Sequence, residues 1–464
     1  PRQPAQNHPV LVMQASSHSQ WFLPVKKRFL SLTPPHALVL SYIGLSLLGT
    51  LLLKLPGVSH QPTSWLQALF TAVSASTVTG LVVVDTGTHF TLPGHWILLF
   101  LMQCGGLGLM TFGIIVIHLT RGQLGLKHRA ALRESFNHTG KGDVRRVMLW
   151  AIGFTAIMEL LGTALLALQW VPEMGWGKGL FYSFFHTLAA FNNAGFALAP
   201  DSLMAYAGNP VVNIVISLLF ISGGIGFVVL ADIIDKRHFR QFSLHTKLML
   251  TGTLIINLVA MIMILVLEYG NPATLGALPD WSAKLWASWF QAVTPRSAGF
   301  NTLDTGALFP ATAFFIIGLM FIGGGSGSTA GGIKLSTFIV ALLATWAFLR
   351  GRERPIVFGR SIQLDIIRKS LAIIVISLLC VSTGIFLLAI TEEGNFLDLT
   401  FEAVSAAATV GLSRGITAGL SDIGQCIIVV LMLIGRVGPL TIAFTLANAR
   451  GESIQYPPGQ VNMG

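Results

Sequence analysis

Four short stretches of this chain share residue types and spacing that could do chemistry. They are Thr77-Val78-Thr79-Gly80-Leu81, Asn192-Asn193-Ala194-Gly195-Phe196, Arg296-Ser297-Ala298-Gly299-Phe300 and Ala408-Thr409-Val410-Gly411-Leu412. Each sets a glycine before a bulky apolar residue. Each follows a short apolar segment carrying phenylalanine (Phe70, Phe184 and Phe185, Phe290, Phe401). The glycines lie 115, 104 and 112 residues apart, so the chain reads as a diverged fourfold internal repeat. Glycine takes a positive φ without steric cost, which lets successive carbonyls turn to one side. Rings of such carbonyls can replace the water around a dehydrated alkali cation. The preceding helices would aim their partly negative C-terminal ends at the same point, which favours a cation. A glycine that only caps a helix would explain one such loop; four at one spacing ask for a common purpose.

A second constellation is Gly323-Gly324-Gly325-Ser326-Gly327-Ser328-Thr329-Ala330-Gly331-Gly332-Ile333-Lys334, which interrupts the apolar stretch 310–350. A break so rich in Gly, Ser and Thr cannot face lipid, so it lies against protein or a watery cavity. It is not a Walker loop, because Lys334 follows Ile333 and precedes Leu335. It reads either as a flexible obstruction that moves, a gate, or as a passive helix break. The third feature is Arg436, in Ile434-Gly435-Arg436-Val437-Gly438-Pro439. A charge within a span is costly and functional by default. Arg436 would lower cation occupancy and touch the 323–334 segment, or form a structural pair with that segment's carbonyls or with an acid such as Glu159. Lys334 would lie toward the cytoplasmic exit. Gly105-Gly106-Leu107-Gly108 and Gly223-Gly224-Ile225-Gly226 read as small-residue faces for close helix packing. No strand pattern precedes them, which excludes a dinucleotide fold.

The elements that must position these residues follow from hydropathy. Stretches long enough to cross a bilayer are 37–56, 95–119, 147–170, 211–234, 246–268, 369–391 and 424–448, with 310–350 as a broken eighth. Shorter apolar segments at 62–77, 177–191, 281–294 and 396–409 cannot span and read as re-entrant. The expected fold is an all-α integral membrane protein of four tandem helix–pore-helix–helix repeats. Eight spans and four re-entrant pore loops would surround a central pore with pseudo-fourfold symmetry. The repeats are 37–120, 147–235, 246–350 and 369–448, between an N-terminal segment 1–36 and a tail 449–464. Composition agrees: 10% of residues are charged and 53% hydrophobic, with 49 glycines among 464 residues and a mean hydropathy of +0.71. Such a chain cannot cover a soluble globule of this size with charge.

The net charge of +10 is confined to particular loops. Segment 121–146 holds seven Lys/Arg against two acids, 232–247 four against two, 350–369 six against two, and 1–36 four against none. With Arg450, 22 of 29 basic residues fall on one side of the expected membrane, which makes that side and both termini cytoplasmic. This confinement argues against a nucleic-acid partner. The opposite side carries Asp85, Glu173, Asp201, Asp280, Asp304, Glu392, Glu393 and Asp398, a bias that would concentrate cations. Residues 1–36 contain no apolar run long enough for a secretory signal. Cys104, Cys380 and Cys426 form no CxxC pair and read as thiols within apolar helices.

On the four glycine loops, on Phe191-Asn192-Asn193-Ala194-Gly195-Phe196-Ala197 and on Gly435-Arg436-Val437-Gly438-Pro439-Leu440, the sequence resembles the Trk/Ktr/HKT superfamily of potassium transporters across residues 37–448. It looks most like the conducting membrane subunits of Ktr systems. The resemblance implies a selectivity filter of Thr77, Val78, Thr79 and Gly80; Asn192, Asn193, Ala194 and Gly195; Arg296, Ser297, Ala298 and Gly299; and Ala408, Thr409, Val410 and Gly411. It implies a gate of Gly323, Gly324, Gly325, Ser326, Gly327, Ser328, Thr329, Gly331, Gly332 and Lys334, with Arg436. Glycine rather than serine at position 80 favours potassium in that family. The first loop is nearest the channel pattern TVGYG and the other three are looser. The transported ion would be potassium, with a sodium dependence as in relatives. The resemblance also implies a homodimer in the cytoplasmic membrane above a cytosolic nucleotide-binding ring, with no nucleotide bound by this chain itself. The activity expected is transport, not enzymatic catalysis. The rival reading is an alternating-access secondary transporter for another small solute or sodium.

Overall fold

The computed structural model describes residues 34–119 and 144–438. Segment 1–33, most of the basic loop 121–146 and everything from 439 onward, including Tyr456-Pro457-Pro458, lie outside the described residues.

The described chain is helical apart from one small hairpin. Its helices are α1 (Pro34–Leu53), α2 (Trp65–Ser76), α3 (Leu92–Leu119), α4 (Val144–Met174), α5 (Trp176–Phe191), α6 (Pro210–Ile225), α7 (Phe227–Lys236) and α8 (Leu244–Glu268). They continue as α9 (Trp281–Val293), α10 (Pro310–Phe321), α11 (Leu335–Leu349), α12 (Leu364–Thr391), α13 (Phe396–Ala407) and α14 (Asp422–Val437). Strands β1 (Ile356–Val357) and β2 (Arg360–Ser361) pair antiparallel between α11 and α12.

Polar side chains start these helices inside an apolar sequence. The Ser64 hydroxyl accepts from the Gln67 N–H while the Gln67 side chain accepts from the Ser64 N–H, a capping box that starts α2. Asn209 caps α6 ahead of Pro210, whose missing N–H costs nothing at a first turn. Asn395 and Ser421 cap α13 and α14 in the same manner.

Four of these helices, α2, α5, α9 and α13, match the four short apolar segments. Each packs against its own flanking helix: α1 on α2, α4 on α5, α8 on α9 and α14 on α13. Contacts to the next quarter of the chain then follow a cycle. Helix α3 packs on α5, α6 on α9, α10 on α13, and α14 returns to α2. Phe70, Phe185, Phe290 and Phe401 occupy equivalent turns of the short helices and are all fully buried.

The expected long helices are more broken than hydropathy implies. Trp150–Met174, Leu244–Glu268 and Leu364–Thr391 are each long and apolar enough to cross a membrane. The expected span 211–234 is instead two helices, α6 and α7, bent by 95° at Gly226. Helix α3 is interrupted at Gly108, whose φ and ψ of 1° and −86° are not helical. Helix α14 stops at Val437, where Gly438 turns to a φ of 93°. Hydropathy averages over a window and cannot register one glycine.

Candidate functional site

The loops that leave α2, α5, α9 and α13 have the same backbone. The second residue of each pentad is left-handed, with φ of 51° at Val78, 58° at Asn193, 69° at Ser297 and 48° at Thr409. The fourth is the glycine, with φ of 93°, 68°, 80° and 92° at Gly80, Gly195, Gly299 and Gly411. Positive φ at β-branched Val78 and Thr409 is strained, and such strain persists only where the surroundings impose it. Here the helix end does so. The third residue's N–H reaches back five positions in three loops: Thr79 to the Ser74 carbonyl, Ala194 to Ala189, Val410 to Ser405, each at 2.8 Å. In the first and fourth loops a serine hydroxyl also accepts from the glycine, Ser74 from Gly80 and Ser405 from Gly411, both at 3.1 Å. The third loop is one residue shorter from its buried phenylalanine and contains Pro295, so Ala298 reaches back only four positions, to Thr294 at 3.0 Å.

The four loops meet. A Cβ on Gly80 would stand 2.5 Å from the Ala194 carbonyl oxygen and 3.0 Å from Gly195 Cα. One on Gly195 would stand 2.9 Å from Gly299 Cα, and one on Gly299 would stand 2.5 Å from the Val410 carbonyl oxygen and 3.4 Å from Gly411 Cα. One on Gly411 would collide with the Thr79 carbonyl. First touches second, second third, third fourth, and fourth first. The ring is lined by backbone, and no side chain longer than hydrogen fits at its glycines. The residues after them, Leu81, Phe196, Phe300 and Leu412, are buried.

The segment between α10 and α11 sits directly against this ring. Its ends are tied where Gly323 donates to the Ile333 carbonyl at 2.8 Å and Leu335 to that of Gly324 at 2.9 Å. Its middle is bonded to the left-handed residues of the second and third loops, and through Ser297 it is linked to the fourth. The Thr329 hydroxyl donates to Asn193 Oδ1 at 2.9 Å. The Ser297 hydroxyl donates to the Thr409 carbonyl at 2.8 Å and accepts from the Gly331 N–H at 3.1 Å. Lys334 folds back onto the same segment, donating to the Ala330 carbonyl at 2.6 Å.

Arg436 fastens the segment to α3. Its guanidinium donates to the carbonyls of Thr329, Gly105 and Gly106 and, at 3.0 Å, to the Tyr42 hydroxyl. The alternative pairing with Glu159 does not form. Glu159 lies instead against Asn192, whose amide donates to Glu159 at 3.3 Å and to Gln103 at 2.6 Å. Arg436 and Glu159 approach the glycine ring from different quarters.

The glycine quartets of α3 and α6 do more than allow helix packing. Gly105 lies against the carbonyl of Ser76, Gly223 against that of Phe191 and Gly435 against that of Ala407. Those carbonyls belong to the last residue of each short helix. Gly223–Gly226 also seats the 323–334 segment. Gly325 donates to the Gly224 carbonyl at 2.7 Å, Thr329 to that of Gly223 at 3.2 Å, and Phe227 to that of Gly327 at 3.1 Å. Sequence reasoning missed this role. The available signal was the recurrence of a glycine about 28–32 residues after each short helix's end, paired with a second glycine in the first three quarters.

Polar contacts brace the ring's outer side. Arg414 pairs with Asp398 at 2.5 Å and donates to the carbonyls of Thr305 and Gly306, each at 3.0 Å, joining the third and fourth quarters. Glu402 is fully buried and accepts from the hydroxyls of Ser413 and Thr417. In the connection before α6, the Tyr206 hydroxyl donates to Glu173 at 2.7 Å. Burial, then the nearby carboxylate, push that phenol up to about 12. His89, bonded to the Thr63 hydroxyl at 2.9 Å, is held below its ordinary value by burial and then by His60.

Comparison with known proteins places this geometry among transporters. Residues 8–455 match the TrkH family, described as cation transport proteins. The chain is 50% identical to the Ktr system potassium uptake protein B of Bacillus subtilis, over 94% of this chain and 98% of that protein. It is 44% identical to the protein of the same name from Vibrio alginolyticus, over 93% and 95%. It is 34% identical to the potassium/sodium uptake protein NtpJ of Enterococcus hirae, over 95% and 98%. The crystal structure of the potassium transporter TrkH from Vibrio parahaemolyticus superposes with a TM-score of 0.69 at 17% identity, covering 93% of this chain and 86% of that one.

Proposed function

The chain belongs to the TrkH family of cation transport proteins, and on that premise we propose that it is the ion-conducting subunit of a Ktr-type potassium uptake system. One observation carries the mechanism: four glycine loops, strained alike, meeting in a closed ring of backbone. Four tandem repeats of span, pore helix and span surround a central pore. A potassium ion reaches the ring from the outer face and exchanges part of its water for carbonyls of residues 77–80, 192–195, 296–299 and 408–411. The short helices direct their negative ends toward it. Segment 323–334, with Arg436, is the gate that closes the path on the cytoplasmic side.

The gate's bonds to Asn193 and Ser297, and the bond by which Ser297 holds Thr409, support this reading. They join the closed gate to the filter residues that carry backbone strain. The basic inter-repeat loops and both termini face the cytoplasm. There a homodimer of this chain meets a cytosolic nucleotide-binding ring that gates it, and sodium modulates the flux. Parallel repeats around one ring favour a pore over the inverted halves of an alternating-access transporter.

The test is Gly80→Ser in a bacterium lacking its own potassium uptake. A side chain there meets the Ala194 carbonyl, so potassium preference over sodium should fall by about tenfold, the equivalent of 1.4 kcal/mol. Unchanged selectivity in a folded variant would remove the filter assignment.

A further inference from the structure

Arg296 is the one member of the glycine loops whose side chain carries a charge, and its surroundings are unlike those of Arg436. It is 9% exposed and makes a single side-chain bond, from Nη1 to Asn257 Oδ1 at 3.0 Å. Its Nε–H is buried without a partner. Among the described residues no carboxylate pairs with it. A guanidinium is permanently charged, and an unpaired buried charge is far costlier than an unpaired buried amide.

A cavity of about 20 Å³ lies beside it, walled by Arg296, Asn257 and Thr253 together with Gly224, Gly324 and apolar side chains. That is room for a guest the size of one or two waters. The Thr253 hydroxyl is also buried and unpartnered. The Asn257 carbonyl is spent on Arg296, so what this side chain still offers is N–H. The side chains therefore present donors: a guanidinium N–H, a hydroxyl and an amide. A water molecule would satisfy some of these groups and leave the charge uncompensated. A monatomic anion accepts from all of them and neutralises the guanidinium.

We propose that the cavity between α6, α8, α9 and the 323–334 segment is a binding site for one halide ion, chloride in the cell, which serves as counter-ion to Arg296. The site itself stands on the cavity and its donors. Its consequence for transport rests on the filter reading above. Without the anion, the Arg296 charge bears on cations at the third filter loop and raises the energy of the occupied ring. With the anion bound, that loop is electrically comparable to the other three. The wall at Gly224 and Gly324 places the anion beside the gate's seat in α6, where the Gly325 N–H donates to the Gly224 carbonyl.

The experiment uses the full-length protein with bromide as probe. Crystals grown with bromide replacing chloride should show an anomalous peak within hydrogen-bond reach of Arg296 Nε. Rubidium flux into proteoliposomes should fall severalfold when gluconate replaces chloride on both sides, and bromide should restore it. Thr253→Val, which preserves volume and removes a donor, should abolish the peak and the halide dependence together. Ordered water without an anomalous peak, or flux indifferent to the anion, overturns the proposal. Should flux lack potassium preference in every anion, the filter reading fails instead, and the bromide peak alone still decides the halide site.

Discussion

At the scale of the residue, the glycines were the legible part and their partners were not. Spacing alone marked Gly80, Gly195, Gly299 and Gly411, because a repeated glycine is a repeated backbone demand. That Val78, Asn193, Ser297 and Thr409 would share the strain was not legible, since three side-chain chemistries stand at one backbone position. Arg436 was recognised as costly, but its partners are carbonyls from α3 and from segment 323–334, and sequence does not reveal carbonyl directions. Gly105→Ala tests the least obvious of these contacts. Its methyl would run into the Ser76 carbonyl, and overpacking of this kind costs about 1–3 kcal/mol; thermal unfolding in detergent should register the loss. His89 offers a pH test in the connection between α2 and α3. Its folded pKa lies below the ordinary value of about 6.5, so the folded state resists a proton that the unfolded chain accepts. Stability should therefore decline as pH falls below about 6.5, and His89→Gln should flatten that decline in a thermal melt.

At the scale of the element, the short helices were predicted nearly to the residue: 281–294 against Trp281–Val293, and 396–409 against Phe396–Ala407. Apolar segments too short to span, closed by glycine, leave few alternatives. The long helices were read less well. A window of hydropathy cannot see that Gly226 turns the chain by 95°, nor that segment 323–334 is bonded on both sides of this turn. Segment 323–334, the proposed gate, is held by bonds from Gly325, Thr329 and Gly331 and by two from Arg436 and Lys334. Removing residues 324–330 should raise rubidium flux, and a folded variant with equal or lower flux would end the gate role. Arg436→Gln should do the same more weakly, because it removes charge-assisted bonds worth about 1.5–3 kcal/mol each and leaves the segment in place.

At the scale of the whole molecule, charge placement predicted a topology that single-cysteine labelling can test. Cysteine introduced at Arg352, in the exposed loop leading to β1, should react with an impermeant maleimide only from the cytoplasmic side. One at Asp201 should react only from outside, in a background with Cys104, Cys380 and Cys426 replaced. Reversed labelling would invert the orientation. The cyclic packing of α3 on α5, α6 on α9, α10 on α13 and α14 on α2 could not be read from sequence, because a repeat announces equivalence and not which neighbour each copy meets.

The ring is built from one polypeptide, so its quarters are inherited separately. Were it assembled from four identical chains, any change to a second helix would appear four times over, and a loop long enough to block the centre would have to be accommodated in quadruplicate. Here only the third quarter carries the glycine-rich excursion of 323–334, while the second supplies its seat and the fourth its arginine. Linking the quarters in one gene permits a division of labour that symmetry would forbid. A single mutation then samples one corner of the ring at a time and leaves the other three as they were.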